Sequence, residues 1–375
     1  MNAANKLLIV GSSLLGVIAI ATLDYTINKI TFLSKDKNEI VASDSNGFYQ
    51  PKPNLKTTSA YGSLTYDVYT DKNGYRISSQ SDSRIISSST CPTVYFIGDS
   101  FTWGSGLSFD DSYPGQFAKS YSGQVDNLGV ESHSPTAYLA RIQRVIQQEM
   151  DNSSKFIVVA GIDISDVQDE SSIWTDSPTS SPLLIKQSEA RPSIKEWLAT
   201  RLPLSYKAYS QLKKIVMRTV GLEDQSDDSL SKVANIERSA FTHTDWDSLE
   251  KAYAPRGVQG GLQRLQNKVV EISESVENGG GSLFLLEYPW PAQIAHQQKY
   301  LNWPQYIKGL CDISHCSGVI ETTSHFSTRS KVDSRWYENY YIKGDVHFNS
   351  NGYQVLSKAI KDKLFSSASK KCFRS

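Results

Sequence analysis

Neither sign of charge prevails in this sequence: 39 lysines and arginines balance 39 aspartates and glutamates over 375 residues. Without a net field there is nothing to gather a polyanion, and nucleic acid is disfavoured as a partner. No internal repeat runs through the chain, so its length fits one large domain, or one domain with a sizeable insertion. Cysteine is scarce, with four in all. Cys311 and Cys316 have a spacing that zinc sites use, but no second pair or suitably spaced histidines accompany them. Zinc is therefore the weaker reading, and no metal or other cofactor is expected. A small disulfide loop, Cys311–Cys316, is the stronger one. Cys91 precedes the first core strand and Cys372 lies near the carboxyl terminus. Of the three pairings that four cysteines allow, Cys311–Cys316 with Cys91–Cys372 is preferred, and it suits an exported protein.

One stretch lacks charge altogether. Leu7–Leu23 runs for 17 residues between Lys6 and Asp24, near the lower limit for a membrane-spanning helix and above the usual core of a signal peptide. Residues 1–23 read as a signal anchor or, with Ala19-Ile20-Ala21 as a cleavage site, a signal peptide. Either one delivers the remaining chain across a membrane. The rest is then membrane-anchored or secreted, with its main domain in the periplasm or extracellular space. Residues 24–45 read as a polar tether. Residues 46–90 form an N-terminal extension, in which Thr65–Thr70 alternates and Asp71-Lys72-Asn73-Gly74 signals a hairpin turn. Ser78–Thr90 is serine-rich and reads as loop.

From Cys91 onward strands alternate with helices. Strands are expected at Thr93–Ile97, Gln124–Val130, Lys155–Ala160, Ser282–Glu287 and Gly318–Thr322. Helices are expected at Tyr113–Ser120, 135–150, Val258–Val276 and Ser350–Phe365. The rhythm implies a mostly parallel, three-layer α/β/α sheet over 91–375. The interval 168–257 breaks it, with an amphipathic pattern near 205–220 and an acidic stretch at Glu223–Ser229. It reads as an insertion, a helical cap over the site.

Chemistry centres on Val94–Gly106. The unbroken run Val94, Tyr95, Phe96, Ile97 fits a strand buried on both faces. Gly98 then permits a sharp turn, leaving Ser100 at the carboxyl end of the strand, where open α/β sheets place their sites. Gly-Asp-Ser is also an ordinary turn tripeptide. A serine needs a base to take its proton, and the base needs a partner to fix its tautomer. Among the six histidines, His347 has Asp345 two residues before it, and on an extended or looping backbone the two point to one side. His133 is the only rival near a strand end.

Gly98-Asp99-Ser100-Phe101, Asn127-Leu128-Gly129-Val130 and Asp345-Val346-His347, in that order at strand ends, resemble the SGNH/GDSL hydrolase superfamily. The terminal run DVHFNSNGYQVLSKAI is similar to its last block. The resemblance implies a flavodoxin-like sheet and ester or acyl-transfer chemistry without a metal. It makes Ser100 the nucleophile, His347 the general base and Asp345 the orienting carboxylate. The oxyanion hole would use the Ser100 N–H and a backbone N–H of the second block, at Gly129 or at Ser132, where the family usually has glycine. Its third block normally supplies an asparagine. Here the residues are Gly161-Ile162-Asp163, and Asp163 would serve only if protonated. One missing donor typically costs about 2.7–4 kcal/mol of transition-state stabilisation. The expected activity is an exported serine esterase that removes acyl groups, foremost acetyl, from a glycan or small surface ester. The alternatives are a polysaccharide O-acyltransferase with the same triad, and a catalytically weak glycan-binding or assembly protein.

Overall fold

The computed structural model describes residues 40–43, 48–62, 64–79, 91–150, 155–174, 230, 233, 247, 250–251, 253–296, 298, 300–367 and 370–373. The apolar segment 7–23, most of the tether, the loop at 80–90, the helix expected near 205–220 and the acidic stretch 223–229 lie outside them. Most of the interval read as an insertion does too. Among the described residues no helix is long and apolar enough to cross a membrane.

Five parallel strands form the centre: β6 (Thr93–Ile97), β7 (Val125–Asn127), β8 (Phe156–Ile162), β9 (Ser282–Glu287) and β10 (Gly318–Glu321). Their spatial order is β10-β9-β8-β6-β7. The chain runs outward from β6 to β7, then crosses back to β8 on the other side. Strand order thus reverses between β6 and β8, and in such sheets the crevice at that reversal is where ligands bind. All seven residues of β8 are buried, as a strand covered on both faces requires.

Beyond β7 the sheet changes character. Strands β3 (Lys56–Tyr61), β4 (Leu64–Thr70) and β5 (Arg76–Ile77) continue it in antiparallel pairing, with Arg76 opposite Asn127 of β7. The eight-stranded sheet is therefore mixed rather than wholly parallel, and the N-terminal extension is built into it. The hairpin turn forms where expected: Asp71 Oδ1 accepts from the N–H groups of Asn73 and Tyr75, both at 2.8 Å. Alternation then turns Tyr66 and Val68 inward, where they pack on Trp103. The tether also ends earlier than expected, because β1 (Val41–Ser43) pairs with β2 (Tyr49–Pro51).

Helices α1 (Ser100–Trp103), α2 (Tyr113–Ser120), α3 (Pro135–Met150), α4 (Ile164–Ser172) and α5 (Gly257–Asn278) come next in chain order. They are followed by α6 (Pro291–Ala295), α7 (Trp303–Ser314), α8 (Thr323–Val332), α9 (Trp336–Tyr340) and α10 (Ser350–Ser367). Helices α3 and α4 pack on α5, which also meets α7, while α2 packs on α10. Helix α4 forms within Asp163–Ser172, a run that follows β8 and reads as polar in the sequence. Both disulfides form as expected. Cys91–Cys372 ties the chain just before β6 to its far end, beside the bridge between Tyr121 and Phe373.

Candidate active site

The site grows from the end of β6. Val94, Phe96 and Ile97 are fully buried, so the strand is fixed on both faces before it delivers Gly98-Asp99-Ser100. Glycine at 98 is required by crowding, not by an unusual φ: a Cβ there would lie 1.9 Å from Thr102 Oγ1. The close approach lets α1 start at once. Asp99 caps that helix, its Oδ1 accepting from the Phe101 N–H at 2.9 Å. Ser100 is the first residue of α1, half-buried at the mouth of the strand-order reversal.

His347 arrives from the loop before α10. Its Nε2 lies 2.8 Å from Ser100 Oγ, and its Nδ1 lies 2.6 Å from Asp345 Oδ1. The two residues meet across a bend rather than along an extended segment: Asp345 Oδ1 also accepts from the His347 N–H at 2.9 Å, which closes the turn. Burial works to raise the Asp345 carboxyl, but the hydrogen bond and charge of His347 outweigh it and hold it below its ordinary value. An ionised Asp345 keeps the imidazole proton on Nδ1, which leaves the Nε2 lone pair facing the serine hydroxyl. The ring is further held by Phe101, stacked at 4.4 Å between centroids. The loop itself is tied by Tyr337, whose hydroxyl donates to the carbonyl of Asp345 at 2.9 Å.

The expected oxyanion donors fare unequally. The N–H of Ser100, at the first position of α1, has no acceptor among the described residues, as helix geometry dictates. Ser132 takes the left-handed conformation (φ 60°) that glycine adopts most readily, and its N–H likewise meets no acceptor among the described residues. Gly129 is a correction. Its N–H donates to Asn127 Oδ1 at 2.8 Å and is not available to a ligand. Glycine is needed there for another reason: a Cβ would lie 2.5 Å from the Trp103 nitrogen. Asp163 is a second correction. Its Oδ1 accepts from the Ser165 N–H and hydroxyl at 2.7 and 2.6 Å, and its Oδ2 from the Trp290 indole at 3.0 Å. Both oxygens are acceptors, so the residue caps α4 and offers no donor to an oxyanion. Burial pushes its carboxyl up, against the opposing pull of Ser165 and Trp290.

His133 does not compete as a base. It is buried, with Nε2 2.9 Å from the Tyr49 carbonyl, and burial holds it well below its ordinary value. Among the described residues no group of His, Cys, Asp and Glu is arranged to hold a metal ion.

Two site residues escape the sequence, and both come from the extension. Arg76 is buried and donates to the carbonyls of Trp103, Gly104 and Leu107, clamping the loop that leaves α1. Its guanidinium lies 4.8 Å from the Trp103 ring, and burial pulls it down to about 10. Tyr61, at the tip of the β3–β4 hairpin, places its hydroxyl 2.8 Å from His347 Nδ1 and 3.3 Å from Asp345 Oδ1. No local pattern marks either residue. Long-range strand pairing alone carries them to the site.

No protein-family model and no curated protein matches this chain. Among solved structures it is similar to a protein from Desulfitobacterium hafniense DCB-2 described as lipolytic and of the G-D-S-L family, at 12% identity and a TM-score of 0.38, over 72% of this chain and 98% of that one. It is similar to Axe2, an acetylxylan esterase from Geobacillus stearothermophilus, at 14% identity and a TM-score of 0.38, over 73% and 94%. A third is LAE5, an alpha/beta hydrolase enzyme from the metagenome of Lake Arreo, Spain, at 13% identity and a TM-score of 0.37, over 72% and 94%.

Proposed function

We propose that this chain is a serine ester hydrolase of the SGNH/GDSL type. One observation carries the proposal: an unbroken hydrogen-bond chain from Ser100 Oγ through His347 to an ionised Asp345. Glycan binding alone gives no physical need for that alignment. Ser100 Oγ attacks the ester carbonyl while His347 Nε2 takes its proton. The carbonyl oxygen becomes an oxyanion facing the N–H groups of Ser100 and Ser132. His347 then returns the proton to the departing alcohol, leaving an acyl group on Ser100. Water, deprotonated by the same nitrogen, releases the carboxylic acid and restores the serine.

Two backbone donors serve where three are usual in the family, and Ile162 supplies nothing in place of the third. A deficit of about 2.7–4 kcal/mol slows such an enzyme by roughly a hundred- to a thousandfold without abolishing the chemistry. We assign the substrate as an acylated, foremost acetylated, surface glycan or small ester. The two disulfides support an exported domain, and the sequence resemblance supports the substrate class.

The test is turnover of p-nitrophenyl acetate by the protein beside its Ser100→Ala variant. Loss of turnover to background in the variant is expected. Equal rates in the two proteins would overturn the proposal.

A further inference from the structure

The hydroxyl of Tyr61 touches both partners of the His347–Asp345 pair, and the distances fix how the protons lie. His347 Nδ1 and Asp345 Oδ1 are 2.6 Å apart. Two atoms that close need a proton between them, and with Asp345 ionised that proton belongs to Nδ1. Tyr61 therefore cannot donate to Nδ1, although its oxygen is only 2.8 Å away. Its own proton turns toward Asp345 Oδ1 at 3.3 Å, and its lone pair faces the Nδ1–H. The ring stands edge-on to the imidazole, with centroids 5.2 Å apart and planes at 82°. The ring also packs beside Gly106, where a Cβ would lie only 3.2 Å from it.

We propose that Tyr61 is a positioning residue: its hydroxyl closes a three-membered hydrogen-bond ring with His347 and Asp345 that holds the reactive tautomer and gives the imidazolium a second acceptor. This deepens the serine hydrolase proposal and rests on it. As Nε2 takes the proton of Ser100, the ring becomes a cation whose Nδ1–H points at two oxygens instead of one. Tyr61 performs this as a neutral dipole. Burial and the Asp345 charge push its phenol far above the ordinary range, so it stays protonated.

Other ionisable groups face this ring from every side. Asp163 is near enough for the charge of His347 to act on it. Asp99 contacts Ser100, its Oδ2 lying 3.4 Å from the hydroxyl. Glu131 and Tyr66 act on Tyr61 from the loop after β7 and from β4. All of these stay in place when Tyr61 is replaced by phenylalanine, which keeps the edge-on ring and removes only the hydroxyl.

Two opposed effects follow from that change. The imidazolium loses an acceptor at 2.8 Å, which weakens the base. Asp345 loses a donor at 3.3 Å, which strengthens its hold on the proton. The shorter contact dominates. The experiment is the pH profile of kcat and KM for p-nitrophenyl acetate with wild type, Tyr61→Phe and Ser100→Ala. In Tyr61→Phe the midpoint of the acid limb is expected to move to lower pH, and plateau kcat to fall about tenfold with KM little changed. An unmoved midpoint, with Ser100→Ala inactive, would overturn the role of Tyr61 and leave the hydrolase intact. Full activity of Ser100→Ala would overturn both. Should Tyr61→Phe fail to accumulate, Tyr61→Leu removes ring and hydroxyl together, and an unmoved midpoint in it would overturn the role of Tyr61 as well.

Discussion

His347→Gln is expected to lower kcat for p-nitrophenyl acetate by about ten-thousandfold or more, with the fold retained. Every proton in the proposed reaction passes through Nε2, first from Ser100 Oγ at 2.8 Å, then to the leaving alcohol, then from water. Glutamine cannot take a proton at neutral pH, so the serine is left with its ordinary, weak nucleophilicity. Members of a triad act as a unit, and losing one typically forfeits nearly the whole contribution of the set. What survives comes from the oxyanion donors and substrate binding. Circular dichroism on the same samples separates lost chemistry from lost structure. A fall of less than about tenfold in a folded variant would remove His347 from the mechanism.

The second large effect is on stability. Glu170→Ala is expected to cost about 3–5 kcal/mol in denaturant unfolding, since it strands buried partners. The Glu170 carboxylate is fully buried at the crossing of α3, α4 and α5. One oxygen accepts from the Ser134 hydroxyl at 2.6 Å and the Thr136 N–H at 2.7 Å. The other accepts from the Thr136 hydroxyl at 2.7 Å and from Arg264 Nε at 2.8 Å. Alanine leaves a mostly buried guanidinium without this partner and an N–H at the start of α3 unsatisfied. That start lies three residues after Ser132, so the donor proposed there for the oxyanion is expected to loosen as well. A midpoint shift equivalent to less than about 1 kcal/mol would show that these contacts are readily replaced.

Glu170 also shows why parts of the fold are hard to read. Helix α4 buries Ser165, Asp166, Asp169, Glu170 and Ser171 beside only two aliphatic residues, Ile164 and Val167. Hydrophobic periodicity is the signal that identifies a helix, and here the buried face is polar because its groups are paired inside. The same residues therefore look like a solvated run. Strand β6 is the opposite case: its apolar run is unbroken because both faces are covered, so it and Ser100 can be located from sequence. Asp345 and His347 are legible for a local reason, since an aspartate two residues before a histidine in a tight bend can bond both its N–H and its ring. The second strand is legible in place but not in length. It stops at Asn127 because the chain must bend past Trp103, with Gly129 tight against that residue's backbone.

Tyr61 and Arg76 were beyond reach for a different reason. Tyr61 lies 286 residues from His347 and reaches it only because β3 to β5 continue the sheet past β7. An alternating hairpin is visible locally, but which sheet edge it joins is not. Ser132 and Asp163 mark the same boundary at finer scale. The position of each is recoverable from the blocks, while its hydrogen bonds depend on neighbours in Trp290 and in the turn itself.

The most direct measurement is covalent. The protein is incubated with a fluorophosphonate ester, which reacts with an activated serine as the acyl substrate would, and its peptides are mapped by mass spectrometry. A single adduct on the peptide carrying Ser100, absent from Ser100→Ala and formed much more slowly in His347→Gln, is the predicted result. Ester hydrolysis that persists while Ser100 stays unlabelled would contradict the account.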